Sequence, residues 1–341
     1  MELPEAVDKY RAGIDAELRS ALAGYQSQMY DMLRYHLGWM DEKGNPLQGA
    51  GGKTLRPTLC LLACESVGGD PEKALPAAAS IELLHNFSLI HDDVQDDDRE
   101  RRHRPTVWSI WGKPQAINAG TAMRVVASLT LFRLLDRGMS VQKLLRAQRL
   151  LDESCLRLIE GQYLDISYEG RMDVTLGDYL AMIEGKTVSL IACSLEAGAF
   201  LGTDDDLVHV AFRGVGRDLG FAFQIRDDVL GIWGDVRKTG KPVGSDIRRR
   251  KKTFPIVYAL EKADGSARAQ MTYAFSGEVA DDDRVDTVLG ILEGVDARSQ
   301  AQGMAEEYRD RALAGLERVP LSPWARHNLM EMAHFLTERE Y

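Results

Sequence analysis

Cysteine and proline are scarce in this sequence, and each shortage narrows the possible folds. Only four cysteines occur in 341 residues, and none is in a Cys-x-x-Cys pair, which favours reduced, buried thiols over a disulfide framework. Only 11 prolines occur, so long stretches can stay helical. No apolar run reaches the roughly 18 residues that would indicate an integral membrane segment. The N-terminal segment is charged and lacks the apolar core of a signal peptide, so we expect a cytoplasmic protein.

An excess of positive charge is also lacking, because the net charge is −10. A protein that binds nucleic acid through bulk charge carries the opposite sign, so we expect no nucleic-acid partner. Basic residues are nevertheless dense in the segments 99–104 and 248–252. Each segment follows a cluster of aspartates, which suggests acidic and basic groups that act together.

Apolar residues recur at helical spacing along most of the chain. In the segment 142–164, Leu144, Leu151, Cys155 and Leu158 fall on one helix face. No convincing strand alternation and no linker is found, so the sequence predicts one all-α domain over residues 1–341, with long helices and the most apolar ones central. The other predicted helices are 77–91, 115–135, 178–200, 207–232 and 283–316, and the predicted connections are 44–57, 68–76, 112–120 and 231–244.

Clustered aspartates end one of these apolar segments. Residues 83–105 read LLHNFSLIHDDVQDDDRERRHRP, in which Asp92 and Asp96 are four apart and share a helix face. Like charges at this spacing repel unless a cation lies between them, and oxygen ligands suit Mg²⁺. A shorter echo at 223–230, FQIRDDVL, offers a second pair of aspartates. Two such clusters beside basic residues indicate a site that holds a diphosphate through metal ions.

Two further stretches fit a diphosphate ligand. The loop GAGGKTLRP (49–57) carries Lys53 and Arg56, and its order and spacing differ from those of a Walker loop. The segment EGKTVSL (184–190) places Lys186 in an otherwise apolar helix. A lone lysine there is usually a surface residue, so its significance depends on the other motifs.

Together these motifs resemble those of the trans-isoprenyl diphosphate synthase family, the head-to-tail prenyltransferases. GGKTLRP is similar to the family's GGKxxRP, and DDVQD (92–96), followed by two arginines, to its first Asp-rich motif. GQYLD (161–165), GKT (185–187) and FQIRDD…TGKPVGSD (223–246) resemble its later signatures in the same order. The resemblance covers about residues 45–260 and is specific because the set is ordered.

The resemblance implies a bundle of long antiparallel helices around a central cavity, and a homodimer. It also implies a reaction in which Mg²⁺, or Mn²⁺ in its place, helps an allylic prenyl diphosphate to ionise before isopentenyl diphosphate attacks. Three metal ions per site are expected. The implied metal ligands are Asp92, Asp93, Asp96, Asp227 and Asp228, of which Asp92, Asp93 and Asp227 count with Lys186 as catalytic. The implied substrate ligands are Arg101, Lys186, Gln224 and Lys241 for the allylic diphosphate, and Lys53, Arg56, His85 and Arg102 for isopentenyl diphosphate. Thr187 is also implied as a substrate ligand.

Three positions depart from the family pattern. Gly231 stands where the second motif usually ends in aspartate, Thr121 where aspartate is usual, and His103 where glycine is common. These departures leave open a terpene cyclase or other lyase on the same fold, and a non-catalytic partner subunit. A complete set of basic residues for a second diphosphate favours chain elongation over a cyclase, and an intact first motif disfavours the partner subunit.

The product length should depend on the residues before Asp92. In the family, a bulky residue at the fifth position before the first aspartate tends to act as a floor for the growing tail, and here that residue is Phe87. Ser88 is small and leaves room beside it. A floor there gives a depth of roughly 7–8 Å, so we expect a short product, geranylgeranyl diphosphate first and farnesyl diphosphate second. The alternative position for the floor is the neighbouring helix, around Met123.

Overall fold

The computed structural model describes residues 3–47, 52–234, 243–275 and 282–338. Regular structure in these ranges is almost entirely helical, as the sequence predicts. The first helices are α1 (Glu5–Leu22), α2 (Gln28–His36), α3 (Leu55–Ser66), α4 (Pro71–Gln95), α5 (Val107–Trp111), α6 (Lys113–Leu131), α7 (Arg133–Asp136) and α8 (Val141–Tyr168). They are followed by α9 (Leu176–Ile183), α10 (Ser189–Gly202), α11 (Asp206–Trp233), α12 (Ser245–Arg248), α13 (Phe254–Lys262), α14 (Gly265–Ala274), α15 (Asp282–Gly294), α16 (Ala297–Glu317) and α17 (Pro323–Glu338).

Two short irregular elements accompany the helices. A hairpin of two-residue strands, β1 (Glu100–Arg101) and β2 (Arg104–Pro105), follows α4. A π-helical turn, Glu184–Val188, joins α9 to α10. A π turn adds a residue to a helical turn and is frequent at functional sites. Both the hairpin and the π turn lie within segments that carry the sequence motifs.

Helix α4 is buried on almost every side because small and aliphatic residues cover most of its own surface and pack against its neighbours. Ala77, Ile81 and Leu83 are each 0% exposed, and α4 packs against α3, α6 and α10. Each fully buried leucine or isoleucine contributes about 1.5–3 kcal/mol relative to an exposed one. Helix α11 packs in turn on α10 and α16. The apolar helices are therefore central, as predicted, and α4 carries the first aspartate cluster at its C-terminal end.

Glycine and proline residues predicted incorrect boundaries for several connections. The predicted connection 112–120 is wrong, because only Gly112 turns the chain, with φ +82°, and α6 begins at Lys113 with Pro114 in its first turn. Helix α4 likewise begins at Pro71, where the Asp70 side chain accepts from the Glu72 backbone N–H. The predicted helix 283–316 is interrupted, since Asp296 has φ +52° between α15 and α16.

All four cysteines are free and buried, as predicted. In the described part of the chain, we find no helix with both the length and the apolar character needed to cross a membrane.

Candidate active site

The first aspartate cluster lies at the C-terminal end of α4. Carboxylates are unfavourable there, because the helix dipole already places negative charge at that end. Cationic side chains compensate: Lys186 Nζ is 3.3 Å from Asp92 Oδ1, and Lys251 Nζ is 2.7 Å from Asp96 Oδ2. Arg101 Nε donates to Asp93 Oδ1 over 2.7 Å. These carboxylates and cationic side chains thus converge on one place.

The cations set the ionisation of this cluster. Burial opposes charge on Asp92, but Lys186, Lys251 and Arg101 outweigh it and lower the pKa of Asp92. Burial dominates at Asp93 despite its contact with Arg101, and raises its pKa to about 6. Asp92 is therefore ionised at neutral pH and able to bind a metal ion.

Two residues of this cluster were not among the predicted site residues. Asp165 of α8 accepts a hydrogen bond from Lys186 Nζ, and Lys251 holds Asp96. Both signals were visible, since Asp165 ends the quoted GQYLD segment and Lys251 belongs to the basic segment 248–252. What the sequence alone could not show is that this basic segment folds back onto the end of α4, and that Arg249 pairs at 2.6 Å with Asp98, which follows α4.

The π turn brings Lys186 and its neighbour into the site. Thr187 Oγ1 donates to Gln224 Oε1 of α11 over 2.6 Å, while Lys186 reaches Asp92 and Asp165. Lys186 therefore contacts α4 and α8, while the next residue, Thr187, contacts α11. In this way the turn links the first aspartate cluster to the second.

The two aspartates of the second cluster have different surroundings. Asp227 is exposed, whereas Asp228 is only 5% exposed and both of its oxygens are engaged. Its Oδ2 accepts from the Tyr179 hydroxyl at 2.7 Å and the Phe254 backbone N–H at 2.8 Å, and its Oδ1 accepts from Gln224 Nε2 at 2.8 Å. Burial raises the pKa of Asp228 to about 7. Asp227 thus faces solvent, whereas Asp228 positions α13 and Gln224. The roles of both as metal ligands stay predictions.

A second polar pocket opens beside α4. Arg56 Nη1 lies 3.3 Å from His85 Nε2, and the Arg102 guanidinium covers Gly52 so closely that a Cβ there would lie 2.9 Å from Nη2. Burial, reinforced by Arg56 and Arg102, lowers the pKa of His85 well below its usual value. His85 is therefore a neutral ring among cations. Lys53 precedes α3 in the same loop, while Lys241 lies outside the described residues.

A cavity of about 500 Å³ joins these groups to an apolar compartment. Its polar end includes Arg56, His85, Asp92 and Lys186. The remaining wall is formed by α4, α6, α8 and α10, and includes Phe87, Ser88, Leu89, His91, Thr121, Arg124, Leu158, Ile159, Gln162, Tyr163, Ile166 and Leu190. The predicted central cavity is thus present, and the predicted chain-length residues line it.

The candidate ligands fit Mg²⁺, because all of them are carboxylates and Mg²⁺ prefers oxygen ligands. Asp93 Oδ2 is also buried without a hydrogen-bond partner among the described residues. Within these ranges no three His, Cys, Asp or Glu side chains converge as a closed metal cage. The ammonium groups of Lys186 and Lys251 lie between the carboxylates, and mark where positive charge is required.

Fold and site together define an all-helical enzyme, and comparison with known proteins identifies its family. The family model for polyprenyl synthetase matches residues 38–292. The farnesyl diphosphate synthase of Mycobacterium tuberculosis is 39% identical over 96% of this chain and 90% of that protein. The geranylgeranyl diphosphate synthase of the same organism is 38% identical over 98% and 93%. The polyprenyl synthetase structure from Streptomyces coelicolor superposes with a TM-score of 0.89 at 35% identity, covering 97% of this chain and 98% of that one.

The chain therefore belongs to the polyprenyl synthetase family, and it is a trans-prenyltransferase with the isoprenoid synthase fold. The resemblance read from the motifs is confirmed.

Proposed function

We propose that this enzyme condenses isopentenyl diphosphate with an allylic prenyl diphosphate and releases geranylgeranyl diphosphate. The observation that supports this most directly is the single cavity whose polar end contains two kinds of group, Asp92 with Lys186 and Arg56 with His85. Two diphosphate substrates need two such sets of polar groups, whereas a cyclase needs one.

Three cationic side chains serve the allylic diphosphate in this proposal. Mg²⁺ held by Asp92, Asp93, Asp96, Asp227 and Asp228 would neutralise the diphosphate and make it a better leaving group. Lys186, Lys251 and Arg101 already face these carboxylates. They can turn to the diphosphate oxygens and stabilise the charge that develops as the allylic carbon–oxygen bond breaks. The apolar wall excludes water, which would otherwise capture the allylic cation.

The second pocket holds isopentenyl diphosphate. Arg56, Arg102 and Lys53 supply the cations, and neutral His85 can donate one hydrogen bond without adding charge. Glu82 lies behind them, 5% exposed, with its pKa raised by burial against the opposing charge of Arg56 and Arg102. The pocket therefore keeps a net positive charge toward its ligand. From it, the double bond of isopentenyl diphosphate can reach the cation.

The direct test uses labelled isopentenyl diphosphate with each allylic diphosphate in turn. We expect Mg²⁺-dependent transfer of label into an organic-extractable product, and loss of transfer on chelation. Asp92→Asn should reduce turnover by about two orders of magnitude or more. Asp97→Asn is the matched control, because Asp97 belongs to the same run but is exposed and pairs with Lys113. Near-normal turnover in a folded Asp92→Asn enzyme would contradict the proposal.

Farnesyl diphosphate is the second candidate product. Relatives named as farnesyl and geranylgeranyl synthases are about equally similar to this chain, at 39% and 38% identity. Chromatography of the dephosphorylated alcohols decides between them. Farnesol as the end product, with excess isopentenyl diphosphate, would replace the first candidate.

A homodimer is the proposed state in solution. Apolar side chains face outward along α6 and α8, and those on α8 recur at helical spacing, which is unusual for a monomer surface. Ile159 and Tyr163 are 51% and 70% exposed although they line the cavity, so a second copy would complete its wall. The exposed set is Ile117, Val125, Leu129, Phe132, Leu145, Leu156, Ile159 and Tyr163.

Light scattering tests this state. Leu156→Arg should yield a monomer, whereas Met330→Arg on α17, at a residue 40% exposed, should leave the dimer intact. A monomeric wild-type chain would contradict the proposal.

The four buried, unpaired thiols suit a reducing compartment, which supports a cytoplasmic location.

A further inference from the structure

An arginine lies at one end of the apolar compartment, where an apolar ligand would not be expected to meet a charge. On α6 the compartment is lined by Thr121 and Arg124, and none of the later α6 residues in the described ranges lines it. On α8 the lining begins at Leu158 and continues toward the C-terminal end of that helix. The wall therefore stops on both helices at the level of Arg124.

Contacts between α4 and α6 show that this end is the one far from the aspartates. The His91 ring, next to the first aspartate cluster, is pressed against Gly120. Further back along α4, the Ser80 hydroxyl donates to the Ala127 carbonyl oxygen over 2.7 Å. The two helices thus run in opposite directions. Arg124, four residues beyond Gly120, is about 6 Å deeper than the level of His91.

The Arg124 guanidinium is tied to both helices. Its Nε donates to Cys155 Sγ over 3.2 Å, and its Nη2 donates to Asp152, both on α8. Its Nη1 donates to Ser128 of α6. Gln148 Nε2 donates to the second Asp152 oxygen over 2.8 Å, which fixes that carboxylate as well. The arginine side chain therefore bridges α6 and α8 where the compartment ends.

A guanidinium at this place opposes a longer tail. Arginine keeps its charge in proteins and has five N–H donors. The three hydrogen bonds use three of them, so two are left for water that enters the compartment. An apolar chain at this depth would displace that water and offer no acceptor, and a buried donor without a partner is unfavourable. The guanidinium would therefore reject the tail through the cost of removing water from it.

We propose that Arg124 is a specificity-determining residue that limits product length as a polar stop at the end of the compartment. This inference rests on the proposed function, because it assumes that the growing tail enters the compartment. Phe87, four residues before His91 on α4, lies at a similar depth and limits the tail by volume. Asp152 and Cys155 are positioning residues that act through Arg124.

The decisive variant is Arg124→Met, which removes the charge and keeps an unbranched side chain. Arg124→Lys is the conservative variant, because it keeps the charge. Arg149→Met on α8 is the matched control, since the Arg149 side chain is 80% exposed and pairs with Glu153 outside the compartment. Circular dichroism checks the fold of each. Arg124→Leu, which is also neutral, serves if the methionine variant does not fold.

The probe is the end product of the wild type, offered as the allylic diphosphate with labelled isopentenyl diphosphate. We expect Arg124→Met to raise kcat/KM for its elongation by about 10-fold or more, while kcat/KM for a ten-carbon allylic diphosphate stays unchanged. Arg124→Lys and Arg149→Met should elongate it no better than the wild type does. A merely structural role of Arg124 would change kcat/KM for both substrates alike.

Chromatography of the dephosphorylated alcohols gives a second readout. Arg124→Met should form a product at least one five-carbon unit longer than that of the wild type, and Phe87→Ala with Arg124→Met a longer product than either single variant.

Unchanged elongation of the end product by a folded, neutral variant at position 124 would overturn this inference and leave the proposed function standing. Equal gains in Arg124→Lys and Arg124→Met would also overturn it, because charge would then not be what stops the tail. A wild type that incorporates no label would overturn both.

Discussion

Arg102 and His103 form the two-residue loop between β1 and β2, and both have left-handed backbone conformations, with φ +52° and +59°. Such a turn suits glycine, because a side chain in this region costs roughly 1–2 kcal/mol per residue. The departure from the family pattern at His103 thus has a conformational cost. Replacing Arg102 by glycine would also remove the backbone strain, but it would remove the guanidinium that covers Gly52 in the second polar pocket. Strain of this kind is characteristic of functional residues.

His103→Gly should therefore stabilise the protein, by about 0.5–1 kcal/mol. The His103 side chain is exposed, so little packing is lost. Urea unfolding gives the free energy of unfolding directly. His103→Asn should fall between the two, because asparagine tolerates the left-handed region better than histidine. A glycine variant less stable than the wild type would mean that the imidazole makes a contact worth more than the strain.

Lys252 is a buried lysine that holds the basic segment in place. It is 2% exposed, and its Nζ donates to the carbonyl oxygens of Glu169 at 2.8 Å and Arg250 at 3.3 Å. The ammonium group also lies 4.8 Å from the centre of the Phe275 ring. No carboxylate is among these partners, so burial, with help from Arg250, lowers its pKa to about 8.

This pKa predicts a rise in stability at alkaline pH. The unfolded chain keeps the lysine proton up to its ordinary pKa, whereas the folded protein releases it near pH 8, so raising the pH above 8 favours the folded state. The wild type should gain roughly 1 kcal/mol per pH unit between 8 and 9.5 relative to Lys252→Met. Urea unfolding of both proteins across this range measures the difference. A difference independent of pH would show that Lys252 keeps its ordinary pKa.

At the scale of elements, the approach of α8 to the π turn determines where Lys186 lies. A Cβ on Gly161 would be 2.0 Å from the Lys186 backbone nitrogen, and one on Gly185 would be 2.6 Å from the Arg157 carbonyl oxygen. The two backbones therefore touch, and only glycine fits at either position. The contact places Lys186 between Asp92 and Asp165.

Gly161→Ala should push the π turn away from α8 and displace Lys186. We expect turnover to fall by about 10²-fold, the effect of a displacement near 1 Å at a reacting group. The free energy of unfolding should fall by about 1–3 kcal/mol because the contact is overpacked. Gly303→Ala in α16, where nothing lies within 4 Å, should instead be neutral or slightly stabilising. Wild-type turnover in Gly161→Ala would show that Lys186 reaches its partners without this contact.

Sequence patterns predicted the elements better than their ends. The helix at 207–232 was expected because apolar spacing is sustained, and α11 spans almost the same residues. The break at Asp296 was missed, since the apolar period continues across it. The converging carboxylates could be predicted from repeated local motifs. The pairing of Lys251 with Asp96 could not, because it joins residues 155 positions apart through the return of a loop, which local patterns do not encode.

At the scale of the whole molecule, the shape of the cavity determines how long a product can grow. In the proposed reaction the tail would leave the charged end and run beside α4, where Phe87 is 5% exposed. The Phe87 ring meets the His91 ring edge to face, with centroids 5.7 Å apart. His91 is itself pressed against Gly120, where a Cβ would lie 2.3 Å from its ring. The aromatic wall is thus supported from α6 and cannot easily yield to a longer chain.

Phe87→Ala should therefore lengthen the product by at least one five-carbon unit, since it opens the wall and leaves the carboxylates in place. Phe87→Leu keeps most of the volume and should change the product less. Loss of a buried aromatic costs about 3–5 kcal/mol of stability, so thermal unfolding must first show that the alanine variant is folded at the assay temperature. Chromatography of the dephosphorylated alcohols then gives the chain length. The same product from an active Phe87→Ala enzyme would assign the floor to α6, where Met123 is fully buried.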